Sequence, residues 1–274
     1  MSQSNGLDAY IPRMNEIHGG FHHPDPYVFA AICSAQTESG ISGDILEIGS
    51  YLGRSTIVLG YLIGEDETLH VCEPFPNPDP DDPDFLPQTV DWYQTYNQEI
   101  FEENYLRFHD ELPEIYAFSS TELPGKLTPS SFRFAHLDGS HTAEALESDI
   151  ALARDILIDE GVISFSFYRT MHTLEVAAAV WREVADAAAF PICATETHLY
   201  ASVTPYSAEQ NADLHARLRS TPRIDVVPSQ FRGVEVALMR RIRSEKSKLK
   251  SFLPPVLLPS LRRARSWVRT IRTD

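Results

Sequence analysis

Short apolar runs and helix-spaced stretches alternate about six times along this chain, and that alternation constrains its fold more than any other feature. DILEIG (44–49), TLHVCEP (68–74), EIYAFSS (114–120), FRFAHLDGS (132–140) and EGVISFSFY (160–168) read as strands. They are too short for helices and are bounded by turn residues. Between or before them lie PYVFAAICSAQTE (26–38), RSTIVLGYLIG (54–64), WYQTYNQEIFEENYLRF (92–108), HTAEALESDIALARDIL (141–157) and TLEVAAAVWREVADAA (173–188), all spaced as helices. Strands that are apolar throughout and alternate with helices predict a parallel sheet covered on both faces. The expected fold is therefore α/β, a Rossmann-like, doubly wound and mostly parallel sheet. PICATETHLYASV (191–203) and VEVALMRRI (234–242) read as two late strands that close it as an antiparallel edge, with a looser stretch, 204–230, between them. The proline- and aspartate-rich segment 74–91 reads as a loop.

Charge divides the chain. Residues 240–274 hold eleven Lys/Arg and two acids, a net +9, so the −16 of the whole chain leaves −25 on residues 1–239. A body this acidic repels phosphate backbones, and nucleic acid is not an expected partner. The organisation expected is a helical cover segment (1–39), a main domain (40–239) and a basic tail (240–274). In the tail, Leu261, Ala264, Val268 and Ile271 recur at three- and four-residue steps among arginines, with Trp267 beside them. That pattern suits an amphipathic helix lying on an anionic membrane or in a partner's groove. Cys33, Cys72 and Cys193 are odd in number and far apart, as expected of reduced, buried thiols. The first residues lack a basic-then-apolar signal pattern, and no apolar run is long enough to span a bilayer. Cytoplasmic residence is expected, with the tail at the inner face of a membrane.

The most informative stretch is GDILEIGSYLGRST (43–56): a strand ends on an acid, turns on glycines and starts a helix. A dinucleotide turn would be G-x-G-x-x-G with a pyrophosphate on the helix start. Here the middle glycine is missing, and Glu47 is awkward for a pyrophosphate but suits an ammonium. S-adenosylmethionine has an ammonium, a carboxylate, a ribose and a sulfonium, and no phosphate. Gly49, Ser50 and Gly53 form the turn, Arg54, Ser55 and Thr56 are placed to receive the carboxylate, and Glu73, ending the second strand, to hold both ribose hydroxyls.

LEIGSYLGRST resembles motif I of the class I S-adenosylmethionine-dependent methyltransferases, most closely the branch with the macrocin-type sugar O-methyltransferases and the cephalosporin-hydroxylase-like proteins. HLDGSHTAEALESDI resembles that branch's D-G-x-H segment, and GVISFSFY aligns with its fifth strand. The likeness covers roughly residues 40–185. It implies that Ser119 and Ser120 lie near the adenine, unless they are ordinary turn and cap serines, and that Asp138 and His141 are catalytic, unless Asp138 only caps the helix after it. Related metal-dependent enzymes place two acids at the end of strand five; this chain has Ser166 and Phe167 there. The resemblance thus implies either methyl transfer without a metal, with Asp138 or His141 as base, or a domain that has lost the reaction. Tyr168, Arg169 and His172 would shape an acceptor site, Trp92, Tyr93 and Tyr96 a cover, and HGGFHH (18–23) the opposite wall. The expected activity is O-methylation of a glycan, glycolipid or natural-product hydroxyl. The alternative is a non-catalytic methyltransferase-like subunit that binds a partner through its tail. Expected partners are a small-molecule or glycan acceptor, a membrane surface or membrane-bound protein at 240–274, and further copies of the chain in a homo-oligomer.

Overall fold

The computed structural model describes residues 3–76, 95–139, 142–169, 174–186, 188–222, 224–231 and 233–241. The described strands are β1 (Asp44–Ile48), β2 (Leu69–Cys72), β3 (Glu114–Tyr116), β4 (Phe132–Leu137), β5 (Leu157–Ser166), β6 (Phe190–Ala194), β7 (His198–Ser202), β8 (Ile224–Phe231) and β9 (Val234–Arg241). They form one sheet in the order β3-β2-β1-β4-β5-β7-β6-β9-β8. The first five pair in parallel. β7 runs antiparallel to both β5 and β6, β9 is parallel to β6, and β8 closes the far edge antiparallel to β9. Strand order reverses between β1 and β4, the switch point where such sheets open a crevice beyond their carboxyl ends.

The helices are α1 (Gln3–Tyr10), α2 (Asp25–Glu38), α3 (Arg54–Gly60), α4 (Gln98–Leu106), α5 (Ala143–Ile156), α6 (Leu174–Ala185) and α7 (Ala208–Arg219), with a 3-10 turn at Ile11–Glu16. Successive strand residues face opposite layers. Ile45, Phe134 and Val162 join one core with α1 to α4 and α7, whereas Leu46, Ala135 and Ile163 join the other with α5 and α6. β4 is buried along its whole length, as a strand covered on both faces must be. The sheet is thus doubly wound. The N-terminal segment shares the first core, through Tyr10, Met14, Val28, Phe29 and Ile32.

Several local readings shift. The helix after the glycine turn stops at Gly60, not Gly64, where Tyr61 and Leu62 turn back. The helix expected from Trp92 is described from Gln98, and Asn97 caps it by accepting the Ile100 N–H at 2.9 Å. Residues 191–203 are not one strand but the β6–β7 hairpin. Thr195 closes its turn by accepting the N–H groups of Thr197 and His198 at 3.2 and 2.9 Å. The stretch expected to be loose, 204–230, holds α7, started by a Ser207/Gln210 capping box, and β8. Pro228 is tolerated in β8 because that strand is outermost.

β9 runs through Arg240 and Arg241, so the expected tail begins inside the last strand. Residues 242–274, with the expected amphipathic helix, and 77–94, with most of the proline-aspartate loop, Trp92 and Tyr93, lie outside the described residues, as do His141 and His172. Among the described residues no helix is long and apolar enough to cross a membrane. Cys33, Cys72 and Cys193 are buried and form no disulfide.

Candidate active site

The glycine turn is built by close approach of β1 and β4. Asp138 donates its N–H to the Ile48 carbonyl at 2.8 Å, and Gly49 donates to the Cys72 carbonyl at 3.0 Å. Gly49 has φ 87°, and a side chain there would drive into the Asp138 carbonyl. Only glycine fits. Gly53, at φ 90°, begins α3 against the Phe101 ring. Beyond these strand ends lies a cavity of about 550 Å³, within the range of cofactor sites.

Of the expected residues, Gly49, Ser50, Arg54, Ser55, Glu73, Ser119, Ser120 and Asp138 lie on the cavity wall. His18, Gly19, Gly20 and Phe21 form part of it, so the histidine-glycine segment does supply a wall. One oxygen of Glu73 accepts the N–H groups of Ser50 and Tyr51, each at 2.8 Å. Tyr51 takes a left-handed φ of 49°, which these two hydrogen bonds help hold. The Tyr96 hydroxyl also bonds Glu73, and burial, together with that carboxylate, pushes its pKa up. Tyr96 in turn packs on Tyr51 with ring centroids 4.8 Å apart. Ser119 caps the 3-10 turn Ser120–Glu122, as an ordinary cap serine does, and still faces the cavity. Ser120 bonds Asp149 of α5, whose carboxyl burial raises to about 6.

Arg54 is turned to the main chain rather than into the cavity. Its Nε donates to the Ile17 carbonyl at 2.6 Å and its Nη1 to the Phe21 carbonyl at 3.2 Å, which straps residues 17–22 over the turn. Glu47 stands behind the wall and not on it. Its carboxylate is fully buried; Oε2 accepts the Thr56 hydroxyl, and Ser55 also bonds it. Thr56, equally buried, therefore points at Glu47. Burial raises the Glu47 carboxyl to about 8, with Asp138 and Glu73 adding to the rise. The cap of α5 is Thr142, so Asp138 is not the capping residue. The Asp138 side chain is 19% exposed and faces the cavity.

A buried polar seam behind Asp138 was not anticipated. His136, two residues back on β4, places Nε2 3.9 Å from both Asp138 Oδ2 and Glu47 Oε1. Its ring lies 5.3 Å from that of His198 on β7. His198 Nδ1 is 3.2 Å from Asp25 Oδ1, and Asp25 also accepts the hydroxyls of Thr195, Thr197 and Tyr200. Burial opposes charge on His198, but Asp25 outweighs it and the pKa is raised; burial holds His136 well below the usual value, and therefore neutral. A histidine near the end of a mostly apolar strand, two residues before the turn aspartate, was the only sequence signal for this seam.

Ser166 ends β5 and Phe167 follows it at φ 56°, its N–H bonded to the Thr197 carbonyl at 2.9 Å. Among the described residues no group of three or more His, Cys, Asp or Glu is placed to hold a metal ion.

Residues 46–166 match the family model of a methyltransferase domain. No curated protein matches the chain significantly. Among solved structures, the O-methyltransferase NovP superposes with a TM-score of 0.50 at 15% identity over 65% of this chain and 78% of that one. CalS11, described as a TDP-rhamnose 3'-O-methyltransferase of calicheamicin biosynthesis, gives 0.46 at 14%, over 65% and 78%. TomG from Streptomyces achromogenes, in complex with S-adenosylmethionine, gives 0.46 at 14%, over 74% and 90%.

Proposed function

We propose that the chain is a class I, S-adenosylmethionine-dependent methyltransferase, built on the stretch 46–166 that matches the family model of a methyltransferase domain, and that it methylates a hydroxyl of a glycan, glycolipid or natural product without a metal. The observation that carries the reading is the chemistry of the cavity wall. Glu73, Asp138 and serine hydroxyls line it, and its one described guanidinium, Arg54, is engaged by main-chain carbonyls. Such a wall suits a cationic, phosphate-free cofactor and is poor for a pyrophosphate.

The bound cofactor supplies an electrophilic methyl group on a cationic sulfur. The chain's own work is to hold an acceptor hydroxyl in line with that methyl and to take its proton. Asp138 faces the cavity at the turn after β4 and is the base in this reading; Glu73 shapes the turn that receives the cofactor. Ser166 and Phe167, standing where related enzymes carry an acid pair, support a reaction without a divalent ion. Tyr96 and Tyr51 offer aromatic surface to the acceptor side. The same serine and phenylalanine favour the competing reading, a subunit that binds the cofactor without turning it over.

Assay of methyl transfer to a panel of sugar and phenolic hydroxyls, in EDTA and in magnesium, separates these readings. The expected result is product in EDTA, cut roughly 10²–10⁴-fold in Asp138→Asn, with cofactor affinity nearly unchanged. Binding without product on any acceptor favours the subunit; activity only with magnesium contradicts the metal-free mechanism. The basic tail is proposed to bring the domain to an anionic membrane carrying its acceptor. Full-length chain pelleting with anionic vesicles, and a chain ending at Arg241 failing to pellet, is the expected outcome; equal pelleting contradicts it.

A further inference from the structure

We propose that Glu47, bridged to Asp138 by His136, is a proton store coupled to the charge of the bound cofactor: it gives up a proton when the sulfonium cofactor enters and takes one back when the methyl group leaves. This rests on the cofactor reading above.

The geometry is specific. The Glu47 side chain is fully buried, and its Oε1 has no hydrogen-bond partner. His136, also fully buried, sets one nitrogen 3.9 Å from that oxygen and 3.9 Å from Asp138 Oδ2. One imidazole nitrogen thus stands midway between a carboxylate that faces the cavity and one that does not. Neither gap is a hydrogen bond, and each closes with a side-chain shift of about 1 Å. The groups facing Glu47 are Tyr10 of α1, Ser55 and Thr56 of α3, Tyr105 of α4, Glu73 after β2, His136 on β4 and Asp138 just after it. Every one of them is neutral or acidic, and the Arg54 guanidinium points to the Ile17 and Phe21 carbonyls.

Burial among such neighbours keeps Glu47 protonated at neutral pH, its carboxyl standing at about 8. A cation brought beside acids favours their ionised forms and lowers their pKa values. Cofactor entry therefore expels the Glu47 proton, and the cation and the new carboxylate offset one another. During transfer the acceptor O–H bond breaks, its proton passes to Asp138, the O–CH3 bond forms, and the electron pair of the broken S–CH3 bond stays on sulfur. The site loses one positive charge and gains one proton. That proton moves from Asp138 by way of His136 to Glu47, which restores the neutral acid and leaves the total charge of the site unchanged. The sign for binding follows. Below pH 8 the free protein carries the extra proton, so cofactor affinity rises with pH, by about tenfold per unit, and levels off above 8.

Isothermal titration of the full chain with S-adenosylmethionine at pH 7, in buffers of different ionisation enthalpy, tests this without any acceptor. The expected slope is release of about one proton per site, with a smaller release for S-adenosylhomocysteine, which lacks the sulfonium charge. Glu47→Gln, a neutral isostere of the protonated acid, is expected to bind and to lose the buffer dependence. Heat that is independent of buffer in the wild-type chain overturns the proposal, as does equal release by both ligands or an unchanged slope in Glu47→Gln. Absence of binding by both ligands fails the cofactor reading instead.

Discussion

The two ends of β4 handle buried charge in opposite ways. Near its start, Arg133 is fully buried, and its guanidinium meets both Glu67 oxygens at 2.8 and 2.6 Å, the Leu62 carbonyl at 2.7 Å and Gln36 at 3.1 Å. Glu67 also accepts the N–H groups of Gly43 and Gly64. Three residues further on, His136 and Glu47 are equally buried, but His136 Nε2 and Glu47 Oε1 face each other across 3.9 Å without a hydrogen bond. The first site spends its polar groups on a closed network, which pins β4 to α2 and to the turn after α3. The second leaves Glu47 Oε1 and His136 Nε2 without a hydrogen bond beside a cavity. A fold that satisfies one buried ion pair so completely is able to satisfy the other. The open seam at the carboxyl end therefore reads as a working part of the cavity, in keeping with the tendency of perturbed groups to gather at functional sites.

The contrast extends to pH. Burial alone would raise the Glu67 carboxyl, but the Arg133 hydrogen bonds and the two glycine amides outweigh it and hold it low. Its contribution to stability is present above the ordinary glutamate range and lost as pH falls through the lowered value. Glu47 is raised to about 8 by burial. Its contribution is present below about 4.5 and lost as pH rises towards 8.

The largest expected effect comes from breaking the closed site. Arg133→Met strands a buried carboxylate and should destabilise the fold by roughly 3–5 kcal/mol, read from urea denaturation. Adding Glu67→Gln should recover much of that loss; a negligible effect of Arg133→Met would show that the network is not what anchors β4. Next is Glu47→Gln, which removes the titrating acid from the open site. The wild-type chain should lose stability, on the order of 3 kcal/mol for one such proton, between pH 5 and 8, and the variant should not. Parallel pH profiles for the two would show that the seam is as settled as the ion pair. The smallest effect falls on ligand binding: Glu73→Ala should weaken S-adenosylmethionine by about 1–3 kcal/mol, since it frees the Ser50 and Tyr51 amides and removes a carboxylate from the wall. Unchanged affinity would place the cofactor away from β2.

The parallel half of the sheet was legible because β1, β2, β4 and β5 are apolar runs closed by glycine, acid or serine turns. The β6–β7 hairpin was not, because its turn is only Thr195 to Thr197 and carries no glycine or proline. Helix α7 was missed because it buries little more than Leu214, His215 and Leu218, too few positions to show a helical period. In the site, Gly49 and Glu73 were readable from local spacing, since a strand–turn–helix fixes their neighbourhood within a few residues. The main-chain partners of Arg54 were not legible: Ile17 and Phe21 lie more than thirty residues back in a segment whose path the sequence does not reveal. Asp25 escaped notice for the same reason, as it meets Thr195, Thr197 and Tyr200 from the far side of the chain.

The central claim is that the crevice over β1, β2 and β4 is a cofactor site built for a cation without a phosphate. Equilibrium titration of the full chain with S-adenosylmethionine in EDTA, alongside a nicotinamide dinucleotide, tests it most directly. The account predicts saturable one-site binding of S-adenosylmethionine, weakened in Glu73→Ala, and none of the dinucleotide. Binding of the dinucleotide, with no response to S-adenosylmethionine or S-adenosylhomocysteine, would contradict it.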